Sequence, residues 1–483
     1  MVTMRGFALL VLLALLVSAF AVHTVAQEKN VIVIGLTKSS GKFERESTMQ
    51  LRGILLWAKW VNETGGIKVG GKTYYVRIVY YDDQSRKDLV QQLYEKLITQ
   101  DKVDFLISPY SSGLSMAAVP IAEKYGVPII VVGAASDAIF TKLKPRCAFQ
   151  IYTPASKYLT SSLDLVKKYL PNAKVYILYE DSPFAAVAAE AAKKYAEQLG
   201  LKVVGFEKYP SDIKDFTAVL ERVRASGATV LIGGGHYRDG LLLAKQIREL
   251  GLDDQLKFVS LLVAVDLPSF YTDLGDYANG FAGPSQWEPQ VRYTPELAKK
   301  LGIEWIGPTS DEFVKMFRQE YGVDPDYHAA GGFAAGLFLQ AAIEAAGSID
   351  RQAVCQAAKH LHIMTFFGEL KVNPENGLQE AHKMVVVQWQ KGEKKIIWPE
   401  SVANAKPITL KGAPLAPAAT TTATATATPS VTPATAGGMA ATTQGGAGGK
   451  AAGGGGMNIG LVIGVIVAVI VIGFIAWYLK ARE

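Results

Sequence analysis

The chain has 483 residues, of which 49% are hydrophobic and 19% charged, with a net charge of +6. That modest charge, with no basic cluster interleaved with aromatics, excludes nucleic acid as a partner. Only Cys147 and Cys355 are present, which excludes a disulfide framework, so a hydrophobic core must hold the fold; the two either pair or stand as isolated thiols.

The chain opens with one basic residue, Arg5, an apolar run from Phe7 to Val22, and small residues ending at Ala26. This pattern predicts a secretory signal peptide over 1–26, with an uncleaved anchor as the alternative. Residues 457–479 are almost wholly apolar, with Trp477 and Tyr478 near their end and Lys480 and Arg482 following. They predict a single transmembrane helix with its basic end in the cytoplasm and everything before it outside the cell, as a membrane-anchored surface protein. Between them, 411–456 is Ala/Thr/Pro-rich and then Gly-rich, without hydrophobic period, and reads as a disordered stalk.

The remaining stretch is too long for one core and suits two lobes. Val31 to Leu36 is a continuous apolar run, the mark of a buried parallel strand. Helical spacing follows over Glu44 to Glu63, then a strand over Tyr74 to Tyr81 and a helix over Arg86 to Thr99. The strand beginning at Val103 runs into Ser108-Pro-Tyr-Ser-Ser-Gly113, ahead of a helix over Ser115 to Tyr125 and a strand from Val127 to Val132. A second round places strands at Lys174 to Tyr179, Lys202 to Phe206, Thr229 to Ile232 and Phe258 to Leu262, with helices between them. After Asn279-Gly280 come helices at Asp311 to Tyr321 and Tyr327 to Ala346, a crossing near Thr365 to Leu370, and a strand at Lys383 to Gln390. The fold class expected is α/β: two doubly wound parallel-sheet lobes joined by a three-segment hinge, plus the C-terminal transmembrane helix. Lobe one takes 28–148 and 280–362, and lobe two takes 149–279 and 363–407.

In an open parallel sheet, ligands settle beyond the carboxyl ends of strands, where the next helix offers unpaired N–H groups. Ser111 and Ser112 stand at such a turn, either as hydroxyl donors to a ligand or as a helix cap. No catalytic or metal constellation emerges. His360 and His362 lack further ligand types, Gly233-Gly-Gly-His-Tyr237 lacks the Lys-Ser/Thr of a phosphate loop, and adjacent Glu180 and Asp181 point to opposite sides of a strand end. The chain is therefore expected to be neither an enzyme nor the holder of a cofactor.

Several stretches, in order, resemble one family: Trp60-Val-Asn-Glu-Thr-Gly-Gly-Ile67, Asp82-Asp83, Leu97 to Val103 leading into Ser108 to Gly113, Val127-Pro128 with Gly133-Ala-Ala-Ser136, Asp215-Phe216, and Phe367-Gly368 with Val387-Gln-Trp-Gln-Lys-Gly392. They are similar to the type I periplasmic solute-binding proteins of ABC transporters, in the branched-chain amino-acid (leucine/isoleucine/valine) group. The resemblance implies a clamp that closes on a small solute, an amino acid or a related amide or carboxylic acid, and delivers it to a permease driven by an ATPase. It also implies ligand contacts from Ser111, Ala134 and Ser136 in lobe one and from Phe184 in lobe two; the turn Gly233-Gly-Gly-His-Tyr237, which ends another strand, offers His236 or Tyr237 as a further contact. Amino-acid binders of this family place an acid after the strand matching Phe258 to Leu262, but Leu261, Leu262, Val263 and Ala264 occupy that region here. Asp181 or Asp266 either substitutes or caps a helix, and Trp287 either walls the cleft or packs in the core. A receptor ectodomain built on the same clamp is the alternative function.

Overall fold

The computed structural model describes residues 30–417. The expected signal peptide, the membrane span and all but the first residues of the expected stalk lie outside the described residues.

Two sheets organise the chain. The first is six-stranded, in the order β2 (Ile67–Val69), β3 (Lys72–Asp82), β1 (Val31–Lys38), β4 (Phe105–Ile107), β5 (Ile129–Val131), β6 (Ala148–Gln150). All of its strands run parallel except β2, which forms a hairpin with β3. The short central strands β4 and β5 are buried on both faces, as their unbroken apolar runs require.

The second sheet is seven-stranded and includes β7 (Lys174–Glu180), β8 (Lys202–Tyr209), β9 (Val230–Gly234), β10 (Phe258–Leu261), β11 (Phe281–Ser285), β15 (Val385–Gln390) and β16 (Glu393–Trp398), in the order β16-β15-β11-β10-β9-β7-β8. In each sheet the strand order reverses once, between β1 and β4 and between β7 and β9. A reversal leaves a crevice at the strand ends. A small third sheet holds β12 (Glu304–Trp305), β13 (His362–Thr365) and β14 (Gly368–Lys371).

The hinge differs in detail from expectation. The strand β11, assigned by sequence to lobe one, pairs with β10 and β15 in the second sheet. The crossing therefore comes after Ser285 rather than at Asn279-Gly280, and β13 and β14 likewise precede the third crossing. One residue from each crossing meets the others: Gln286 Oε1 accepts from the Thr153 amide at 3.0 Å, and Thr153 Oγ1 sits 2.9 Å from His382 Nδ1. Burial holds the His382 imidazole down at about 4, so it is neutral.

Lobe one is built around two 20-residue helices, Glu44–Glu63 and Tyr327–Ala346. They touch backbone to backbone. A Cβ on Gly53 would sit 1.9 Å from the Ala329 carbonyl oxygen, and one on Gly332 would sit 2.3 Å from that of Gln50. The second helix is apolar and long enough to cross a membrane, but it is buried in the core. Cys147 and Cys355 form a disulfide tying β6 to the helix Arg351–Lys359. The start of the expected stalk is folded: Leu415 is buried, its amide bonds Pro407 O at 2.9 Å, and Lys411 pairs with Asp254. Residues 411–417 thus belong to the compact part, although their composition suggests a stalk.

Candidate functional site

The two crevices face one another. From lobe one, the turn after β4 presents the helix Ser112–Lys124, capped by Ser111, whose Oγ accepts from the Leu114 amide at 3.3 Å. Ser111 holds φ 78, ψ 143, outside the ordinary regions for a residue with a Cβ. Such strain persists only where neighbours over-determine it. Here the Ser111 amide donates to Gly133 O at 2.9 Å. The helix begins three residues earlier than its apolar spacing suggests, because Ser112, Gly113 and Leu114 are its first turn.

From lobe two, the turn after β7 presents the helix Pro183–Gln198, capped by Ser182. Two helix N-termini therefore converge on one cavity of about 220 Å³, lined among others by Lys42, Lys87, Ser111, Ser112, Ser182 and His236. Unpaired N–H groups, a positive dipole end from each lobe and two lysines make this an anion's environment. Behind it, a small chamber between Tyr110, Tyr152, Tyr158, Tyr327, Phe184 and His236 has about 10 Å³ of free space, room for about one water.

The expected residues divide. Ser111, Ser112, Phe184 and His236 line the cavity, and Phe184 packs edge-on to Tyr158 at 5.0 Å. Ser136 does not face it: its amide donates to Ser112 Oγ at 3.0 Å, and its hydroxyl crosses the cleft to Pro183 O at 2.8 Å. Ser136 is a clasp between lobes. The Ala134 side chain packs in the lobe-one core, while its neighbours Gly133 and Ala135 line the inner chamber. Tyr237 lies outside the cavity lining, its hydroxyl bonded to Asp273 and facing Arg45, which pairs with Asp273 at 3.1 Å. Asp181 lies at the rim, half exposed, and pairs with Lys208. Asp266 is buried with Lys394 away from the cavity, and Trp287 packs between Phe313 and Phe366 in the core.

A buried ionic cluster went unread. Glu180, at the end of β7, receives Lys42 from lobe one and bonds His236 Nδ1 at 2.6 Å. Asp239 accepts from the His236 amide at 2.9 Å and from the Tyr209 hydroxyl. Gly235 leaves the room for this, since a Cβ there would lie 2.6 Å from Glu180 Oε2. Burial alone would raise the Glu180 carboxyl, but the charges of His236 and Lys42 outweigh it and hold it below the usual range. Burial would likewise lower His236, and Glu180 reverses that and raises it. Asp239, buried beside the Glu180 charge, is pushed up to about 6. These three residues bring donor atoms within 4.8 Å of one another, yet they are already bonded to each other and the Lys42 ammonium stands where a cation would. The signal available in the sequence was a single one: an ionisable residue directly after an apolar parallel strand, at the sheet's crevice.

The cleft is closed. Besides Ser136–Pro183 and Lys42–Glu180, the Tyr237 amide of lobe two donates to Glu46 of lobe one at 3.2 Å, and Phe43 packs on His236 at 4.8 Å.

The family described as periplasmic binding protein matches residues 31–394. A Leu/Ile/Val-binding protein homolog from Brucella suis is 26% identical over 335 residues, 69% of this chain and 83% of its own. A leucine-binding protein from Thermotoga maritima shares the fold with TM-score 0.64 at 21% identity, covering 76% of this chain and 97% of its own. A solute-binding protein of an ABC transporter from Rhodopseudomonas palustris, in complex with 3,4-dihydroxybenzoic acid, does so with TM-score 0.65 at 20% identity, over 79% and 99%.

Proposed function

The chain belongs to the periplasmic binding protein family, type I, in the branched-chain amino-acid group, and from that premise we propose that it captures a small carboxylate-bearing solute and delivers it to the permease and ATPase of an ABC importer. The observation that carries this reading is the cavity between the Ser111-capped and Ser182-capped helices, one from each lobe, under a closed cleft. A carboxylate there meets N–H donors from both lobes, so binding it stabilises the closed form over the open one. Delivery follows if only the closed form engages the permease. The Ala/Thr/Pro stalk and the apolar segment 457–479 would tether the clamp at the outer membrane face, within reach of its transporter.

Mass spectrometry of the full-length chain under native conditions should find a small organic acid co-purified, or thermal unfolding should shift upward with one member of an acid and amino-acid panel. A chain that carries no solute and responds to none is not a solute clamp. Ser136→Ala removes an interlobe hydrogen bond without touching the ligand. It is expected to cost about 1 kcal/mol of closure and so weaken binding about fivefold, measured by isothermal titration calorimetry.

A further inference from the structure

His236 has one ring nitrogen spoken for and one not. Nδ1 is held by Glu180 at 2.6 Å. The Nε2 edge has no partner among the described residues, and the ring lines both the outer cavity and the inner chamber.

The carboxylates around that ring are all engaged: Glu180 by Lys42 and His236, Asp239 by Tyr209 and the His236 amide, Asp181 by Lys208, and Glu46 by the Tyr237 amide. An ammonium group in the cavity would meet Lys42, Lys87 and His236, and the one lining carboxylate, Asp181, stands exposed at the rim and paired with Lys208, so an ammonium buried beside His236 carries a high desolvation cost. A carboxylate would meet two helix N-termini and the His236 ring in the cavity wall of lobe two. We propose that His236, held by Glu180, is the lobe-two cation that grips the solute's carboxylate, so that this clamp selects small carboxylates that lack an amino group. The inference rests on the solute-capture reading above.

Its geometry gives Glu180 a definite part. A carboxylate on Nδ1 fixes the ring's orientation and favours the doubly protonated imidazolium, leaving Nε2–H as a donor. Glu180 is a positioning residue. The other groups facing the ring are Lys42 from the turn after β1, Asp239 from its own helix and the rings of Phe43, Tyr110 and Phe184. Of the ionisable ones, Lys42 opposes the imidazolium while Glu180 and Asp239 support it, and the balance raises its pKa above the ordinary 6.5. A raised histidine keeps its charge, and with it the grip on an anion, below 6.5, and loses it as pH rises through the raised value.

The test is calorimetric titration of the full-length chain with three pairs differing only in the amine: leucine and 4-methylpentanoate, phenylalanine and 3-phenylpropanoate, glutamate and glutarate. At least one amine-free member is expected to bind tenfold or more tighter than its amino counterpart, with affinity falling between pH 6 and pH 9. His236→Gln should weaken that acid at least thirtyfold and flatten its pH profile, with unchanged thermal unfolding confirming the fold. Glu180→Gln should shift the profile to lower pH while His236 stays in place, an effect a merely structural role would not produce. Preference for the amino member, or a pH profile that survives His236→Gln, overturns the inference and leaves solute capture standing. No binding by any of the six overturns both.

Discussion

Lys394→Met is expected to destabilise the fold by about 3 kcal/mol or more, read from urea unfolding, because it strips two buried carboxylates of the only cation they have among the described residues. Lys394 Nζ sits 3.1 Å from Asp266 Oδ1 and 2.9 Å from Glu288 Oε1, with both acids almost fully buried. The three residues come from the turn after β10, the second hinge crossing and β16, so the cluster fastens the hinge to lobe two. Burial raises the Glu288 carboxyl to about 8, with Lys394 pulling it down and Asp266 pushing it up. A folded pKa above the unfolded one means stability that is whole below about pH 4.5 and is lost progressively as pH climbs through about 8. The native protein should therefore unfold at a lower urea concentration at pH 8.5 than at pH 5. In Lys394→Met the fall should be steeper, because nothing remains to offset the second negative charge. Equal destabilisation of the variant at both pH values would refute this account of the cluster.

Gly53→Ala is the second large effect, and its sign is the informative part. On an isolated helix the change stabilises by about 1 kcal/mol, since Ala is the better helix former. In this protein the new methyl would sit 1.9 Å from the Ala329 carbonyl oxygen, a backbone atom that cannot rotate away. The helices Glu44–Glu63 and Tyr327–Ala346 must separate, which exposes Gly332 and Gly336 contacts along the same seam. We expect a net loss of about 2 kcal/mol or more, as overpacking of a tight core gives, seen as a lower denaturant midpoint with an unchanged slope. Because Phe43, Lys42 and Glu46 enter the cleft from the start of that first helix, solute affinity should fall with it.

Legibility followed the range of the physics involved. Apolar runs such as Val31 to Leu36 and Val127 to Val132 could only be buried parallel strands, and the helix Tyr327–Ala346 appeared with the ends expected of it. The strand Phe281–Ser285 was not legible: Phe-Ala-Gly-Pro-Ser has little strand character by itself, and only pairing with β10 and β15 makes it one. The same holds for β16, where Glu393-Lys-Lys precedes the apolar Ile396, Ile397 and Trp398. At the site, the turn residues Ser111 and Ser112 were legible because strand ends mark crevices, and Phe184 was named only through the family resemblance; all three line the cavity. Ser136 and Ala134 were near the site in sequence but turned from the cavity, since a one-residue change of direction in a turn decides which side a group faces.

What the sequence determined by itself is the two-lobed α/β architecture, the capped helix turn after Ile107 and the apolar run Leu261 to Ala264 at the end of β10, all set by local pattern and by which residues are present. Tertiary structure alone decided the electrostatics. Glu180 and His236 are 56 positions apart and Lys42 is 138 from Glu180, so no local pattern links them. They meet because both sheets reverse their strand order at facing crevices, and their mutual contact there, against the cost of burial, lowers the Glu180 carboxyl and raises the His236 imidazole. The apolar run Leu261 to Ala264 is visible in the sequence, but the lobe-two histidine that lines the cavity becomes visible only once the lobes have closed.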